Sequence, residues 1–260
     1  MKFPVLKLHV GKKRVRIVED HHHALLPWAW ERNDAGRALR LLTLDHHTDT
    51  LQAFTHYAQS HGLENIFFSA DFRSEKEIRG VLGKMRHDEQ IDFAIRSGIV
   101  VSALLVTHEN FSVFVNPRIR ILHEPPFRGG ASLTDFSRSS VDSVFPGECF
   151  RPSLSVLSAY YAKALEDDFF LSLFHQAGMA DIPEAGFLLD VDLDYFKTPE
   201  SLEPEKSSVF YELIRRSRAV TISRERDWVR LLNLDFGRIV DYAYAEKRIL
   251  EHIERACSAS

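Results

Sequence analysis

Three apolar runs in this chain stop abruptly in carboxylates and imidazoles. Val15–Asp20 runs into His21, Leu41–Asp45 into His46-His47-Thr48-Asp49, and Phe187–Asp190 into Val191-Asp192-Leu193-Asp194. Aspartate and histidine together suit a hard-to-borderline divalent cation. In an extended segment positions i, i+2 and i+4 point the same way, so Asp45, His47 and Asp49 are expected to aim into one pocket, with His46 and Thr48 turned away. The same rule aligns Asp190, Asp192 and Asp194, three carboxylates whose repulsion in a partly buried site only cations relieve. A strand-end aspartate also serves as the N-cap of a following helix, but capping does not call for histidines interleaved at ligand spacing. Carboxylates bridging between the clusters would make a dinuclear centre whose shared water, its pKa lowered toward neutrality, attacks a planar carbon. Of the triplet His21-His22-His23, at most one or two are expected to ligate.

Positioning these residues requires strands whose carboxyl ends converge. Strand-like runs occur at Val15–Val18, Leu41–Leu44, Ile66–Ser69, Ile99–Val106, Arg118–Leu122, Phe187–Leu189 and Ala219–Ser223. Between them lie stretches of helical spacing at Leu51–His61, Glu75–Arg86, Leu154–Ala177, Ser207–Arg216 and Trp228–Arg255. This alternation predicts an α/β fold, three-layer αβα, with a mostly parallel sheet and helices on both faces. Open sheets of this kind build their sites at the carboxyl ends of the strands. The segment Pro125–Pro152, rich in proline, glycine and serine, reads as a long functional loop. No internal repeat or linker divides the chain, so residues 1–260 are expected to form one domain.

Composition narrows the partners. The chain has 260 residues, 45% of them hydrophobic, enough for a sizeable core. Lys and Arg total 33 against 37 Asp and Glu, a net charge of -4 with no basic footprint for nucleic acid. Cys149 and Cys257 are expected to be reduced thiols. The start of the chain lacks the apolar stretch of a signal peptide, and no run approaches the ~20 apolar residues of a membrane span. A soluble, cytoplasmic protein is the expectation.

With these residues in view, the set resembles the ureohydrolase superfamily of arginases and agmatinases, whose Gly-Gly-Asp-His, Asp-x-His-x-Asp and Ser-x-Asp-x-Asp segments bind two manganese ions. Asp20-His21 is similar to the end of the first, Asp45-His46-His47-Thr48-Asp49 to the second, and Asp190-Val191-Asp192 to the third. Val18-Glu19-Asp20-His21 and Leu189-Asp190-Val191-Asp192-Leu193-Asp194-Tyr195-Phe196 resemble more closely a divergent arginase-like branch. Its members look like peptide arginases, which turn arginines of ribosomally made precursor peptides into ornithine with release of urea. The resemblance implies two Mn2+. His21, Asp45, Asp49 and Asp190 would hold one and Asp45, His47, Asp190 and Asp192 the other, with Asp45 and Asp190 as bridges. A bridging hydroxide would attack the guanidinium carbon. Asp194 would orient a ligand or the substrate without touching metal.

The sequence departs from the wider family at Val18-Glu19, where it has paired glycines, and at Leu188, where it has serine, so recognition of free arginine is expected to differ. The proton-shuttle histidine and the guanidinium-binding glutamate lie in no matched segment. His61, by its distance from the second motif, and Glu225, by its place after the last strand, are the candidates. The partner implied is an arginine-containing precursor peptide. The alternatives are a ureohydrolase of free arginine, agmatine or a guanidino acid, a metal-dependent binder of arginine peptides without turnover, and a deacetylase using one zinc. Six retained ligands argue against mere binding, and the predominance of oxygen donors favours manganese over zinc.

Overall fold

A computed structural model of the chain describes residues 3–63, 74–108, 116–123, 154–179, 183–233 and 240–258. Its strands are β1 Leu6–Val10, β2 Lys13–Val18, β3 Leu39–Asp45, β4 Val100–Thr107, β5 Ile119–Leu122, β6 Leu188–Asp192 and β7 Ala219–Ser223. They form a seven-stranded sheet in the order β1-β2-β7-β6-β3-β4-β5. The β1–β2 hairpin, turned at Gly11 with φ 58°, is antiparallel; β2–β7, β7–β6, β6–β3, β3–β4 and β4–β5 are parallel. The helices are α1 Leu25–Ala35, α2 Thr55–Ser60, α3 Glu75–Leu82, α4 Gln90–Arg96, α5 Leu154–Tyr161, α6 Asp167–Gln176, α7 Ser208–Arg216, α8 Arg226–Asn233 and α9 Tyr242–Ser258.

Period-two alternation divides the strand side chains between two cores. Leu42, Leu44, Val106, Leu189, Val191, Val220 and Ile222 pack with α6, α7 and α9. Leu39, Leu41, Ala103, Leu105, Leu188 and Ala219 pack with α1, α3 and α4. The layers are therefore αβα, as the alternation of elements predicts. Phe210 on α7 is fully buried, its ring 6.3 Å from Phe170 and 5.9 Å from His252. Phe210→Ala is expected to cost about 3–5 kcal/mol in urea unfolding; a loss below about 1 kcal/mol would mean that the pocket collapses around the smaller residue.

Several elements differ from the sequence expectation. The stretch Leu154–Ala177 is two helices, because the chain turns after Tyr161 and restarts at Glu166, whose extended φ/ψ of -71°/143° makes it the N-cap of α6 with Asp167 and Asp168 in the first turn. The stretch Trp228–Arg255 is likewise divided between α8 and α9. Thr55–Ser60 and Glu75–Leu82 are shorter than the helical spacing suggested. The edge strand β1 and the helices α1 and α4 were not expected. The run Ile66–Ser69 and the whole Pro125–Pro152 loop, Cys149 included, lie outside the described residues. Cys257 is a free thiol. Among the described residues no helix is long and apolar enough to cross a membrane.

Candidate metal centre

The parallel register brings the three ligand-rich ends together. Thr43 of β3 lies opposite Asp190 of β6, Asp192 opposite Ser223 of β7, and Ser223 opposite Val18 of β2. All four strands therefore finish at one edge, and the faces already fixed by alternation point Asp45, Asp190 and Asp192 to the same side as Leu41 and Leu188. Beyond β2 the chain enters a short 3-10 turn, His21–Ala24, which aims the first imidazole of the triplet inward and leaves the next two outside the cluster.

His21 stands at the centre. Its Nδ1 is 2.9 Å from Asp49 Oδ2 and 3.2 Å from both Asp45 Oδ2 and Asp192 Oδ2, while its Nε2 is 2.7 Å from Asp190 Oδ2. A second group lies beside the first: His47 Nδ1 is 3.2 Å from Asp194 Oδ2, and Asp45 offers an oxygen to this group as well. Asp45 is thus common to two donor sets, His21–Asp45–Asp192 and Asp45–His47–Asp194, each with donor atoms within 4.8 Å of one another.

The backbone after β3 is not the extended segment the sequence suggested. It bends at His46 and His47, and Asp49 takes a left-handed φ of 45°. Asp45 and Asp49 consequently turn to His21, whereas His47 turns to Asp194. Asp194, which the resemblance kept away from metal, comes within donor distance because the 3-10 turn Leu193–Tyr195, capped where Asp194 N–H donates to Asp192 Oδ1 at 3.2 Å, folds it back over the strand ends. His46 is buried, its ring 4.7 Å from that of His47 and its backbone N–H donating to Asp194 Oδ1 at 3.3 Å, and it belongs to neither donor group.

Burial and crowding set the electrostatics. Burial and the Asp49 charge raise the Asp45 carboxyl to about 7, and burial with the Asp194 charge raises Asp192 well above the carboxylate range. Burial opposes the charged form of His47, but the hydrogen bond and charge of Asp194 outweigh it and lift the imidazole to about 10. His21 is raised well above the ordinary value against its own burial by Asp190, Asp45 and Asp49. Burial would push Asp194 up, yet His47 and the Lys197 charge hold it low.

The donor set fits divalent cations. Asp45 Oδ2 and Asp190 Oδ1 are buried and accept no hydrogen bond from the described residues, which leaves lone pairs for metal in a medium where unpaired charge is costly. Oxygens predominate, with two imidazoles. Supporting contacts fix the ligands: Thr43 Oγ1–H donates to Asp190 Oδ2 at 2.9 Å, and Gln90 Nε2–H donates to Asp49 Oδ2 at 2.6 Å. Neither residue was singled out from the sequence, since nothing in their local pattern marks them. Gln90→Leu is expected to weaken metal binding by about 10–100-fold in equilibrium dialysis; unchanged affinity would mean that Asp49 is held by other contacts.

The remaining candidates part company. His61 is exposed at the end of α2, stacked 4.0 Å from Tyr57, with its Nδ1 near Tyr57 O and Ser60 Oγ. These partners are all local to α2, and the structure does not bring this histidine into the cluster. Glu225 is buried beside the cluster: its Oε1 accepts from His21 N–H at 2.6 Å, and burial raises its carboxyl to about 8. It also lines a cleft of about 790 Å³ with Asp20, His22, His87, Asp227 and Trp228, among others. The Trp228 ring is 5.6 Å from that of His47, so the cleft opens next to the donors.

Fold and site together define an α/β protein with a carboxylate–imidazole cluster at the carboxyl ends of its parallel strands. No protein-family model matches the chain, and no curated protein matches it. Among solved structures it is similar to a hypothetical agmatinase from Burkholderia thailandensis, at 10% identity and a TM-score of 0.41, covering 95% of this chain and 60% of that one. It is also similar to the proclavaminate amidino hydrolase from Streptomyces clavuligerus, at 11% identity and a TM-score of 0.42, covering 95% of this chain and 65% of that one. The chain thus spans less than two thirds of the length of either.

Proposed function

We propose that the chain is a metal-dependent hydrolase of guanidino C–N bonds, acting on arginine within a peptide to leave ornithine and release urea. The observation that carries this reading is that Asp45 serves two adjacent donor sets, which suits a pair of ions sharing a carboxylate. Two divalent ions, manganese by the oxygen-rich donors, supply a water acidic enough to act as nucleophile near neutral pH.

The chain's own residues hold and position. Asp45, Asp49, Asp190, Asp192 and Asp194 compensate the ions, and His21 and His47 complete the donors. Glu225 steadies His21 through its backbone N–H. A guanidinium in the cleft meets the Glu225 carboxyl, and the cation favours that carboxyl's ionised form. In the reaction water oxygen bonds to the guanidinium carbon, the bond from that carbon to the side-chain nitrogen breaks, and a proton passes to the departing ornithine nitrogen. The net charge of -4, and a cleft where Glu19, Asp20, Glu225 and Asp227 outnumber Arg86 and Arg226, suit a cationic substrate. A cleft of this size takes a side chain and its neighbours.

Mass spectrometry of an arginine-containing peptide and of free arginine after incubation with manganese-loaded protein tests the reading. Loss of about 42 Da per arginine from the peptide alone is expected, the CN2H2 unit that leaves in urea. Conversion of free arginine alone would make the protein a small-molecule ureohydrolase, and no conversion with metal bound would refute the reaction class.

A further inference from the structure

The turn after β7 places a flat aromatic face and a carboxyl side by side at the cleft. Arg224 N–H donates to Val18 O at 3.0 Å and Glu225 N–H to Glu19 O at 2.9 Å, so pairing with the end of β2 continues past the strand. Glu225 then adopts φ 40°, and Val229 N–H donates to Glu225 O at 2.8 Å as α8 begins. A left-handed glutamate is costly and persists only where the surroundings enforce it. Here it allows the chain to leave the sheet and enter a helix within two residues. Glu225, just before α8, and Trp228, in its first turn, line the same cleft.

The Trp228 ring is 5.6 Å from that of His47 at an interplanar angle of 70° and 5.2 Å from that of His87 at 59°. Both angles are steep, so neither ring covers the indole as a parallel stack, and Trp228 is half-buried and lines the cleft. Asp20, Glu19 and Asp227 line it too, with Arg86 and Arg226, the latter paired with Glu19 at 2.9 Å. The chain's other tryptophans are committed elsewhere: Trp28 is buried and donates to Thr221 Oγ1 at 3.2 Å, and Trp30 carries Lys7 Nζ 3.9 Å from its ring.

We infer that Trp228 is the residue that selects cationic substrates, its indole face receiving a planar guanidinium beside Glu225 at the edge of the donor cluster. This rests on the proposed hydrolase reading for its substrate class. An indole attracts a cation through its ring quadrupole and a guanidinium also stacks on it by shape, whereas a neutral ureido group of the same shape gains only the stacking. The consequence is selectivity for arginine over citrulline in otherwise identical peptides.

The test is fluorescence anisotropy of a dye-labelled arginine peptide, and of its citrulline counterpart, read immediately after mixing with manganese-loaded protein and before turnover. Wild type is expected to prefer the arginine peptide. Trp228→Ala is expected to reduce that preference about tenfold by weakening arginine binding, with Trp228→Phe keeping most of it. Equal weakening of both peptides would show a packing role only, and an unchanged preference would show no role; either overturns the inference. Lack of preference in wild type overturns it also. Bound manganese, measured alongside, confirms that the variants keep the centre. The two readings fail separately: selective binding without ornithine formation would refute the hydrolase alone, and ornithine formation with unaltered selectivity in Trp228→Ala would refute the inference alone.

Discussion

Asp45→Ala is expected to remove both ions of the centre together and to reduce arginine hydrolysis by about a thousandfold or more, since several kcal/mol of metal-supplied stabilisation goes with them. The reason is geometric. Asp45 is the residue found in both donor groups, 3.2 Å from His21 and within donor reach of His47 and Asp194. Of the two donor groups Asp49→Ala touches that of His21, 2.9 Å away, and is expected to spare the ion at His47. Metal analysis after dialysis separates the two variants. An Asp45→Ala protein that keeps its full metal content would show that the groups are independent.

Stripped of divalent ions, the protein is expected to lose stability as pH rises from about 7 to about 9, and manganese is expected to restore it most at the alkaline end. Asp45, raised to about 7, Glu225, raised to about 8, and Asp192, raised well above the carboxylate range, each bind a proton more tightly in the folded chain. Stability falls with pH wherever the folded state holds the extra proton. His21 and His47, the latter raised to about 10, run the same way: their contribution is full below the ordinary histidine value and is lost as pH climbs through the raised one. Asp194 is lowered and runs the other way, and so do His22, His46 and His108, lowered by burial, but these contributions change only below the ordinary histidine value, outside this range. Manganese competes with these protons, and at about a hundred times its dissociation constant it adds about 2.7 kcal/mol. Thermal melts with chelator and with manganese across this range check the prediction. A Tm that rises with pH in chelator, or that ignores manganese, would contradict it.

The strand ends were legible because carboxylates and imidazoles at the end of an apolar run have few other reasons to be there, and β7 was readable to the residue as Ala219–Ser223. The segments just beyond the strands were harder to read. The alternation that works inside β3 fails at once beyond Asp45, since bends at His46 and His47 and the positive φ of Asp49 re-aim each side chain by long-range contacts. The position of Asp194 was equally hard to read, being decided by a 3-10 turn rather than by strand period. The hairpin strand β1 had a visible signal in the alternating Leu6, Leu8 and Val10 before Gly11. Helix α1 had one too: Pro27 in the first turn and Gly36 as a left-handed stop, φ 68°. Helix α4 had little, because six of its seven residues are buried and no polar stripe marks a period. Glu225 was found from its position after the last strand; Thr43 and Gln90 depend on partners 147 and 41 residues away, distances that local pattern does not span.

The electron paramagnetic resonance spectrum of manganese-loaded protein tests the shared carboxylate most directly. Two ions joined through Asp45 are expected to be exchange-coupled, giving a broad multiline spectrum that disappears in Asp45→Ala. The hyperfine pattern of isolated manganese in the fully loaded wild type would contradict a dinuclear centre and, with it, the proposed chemistry.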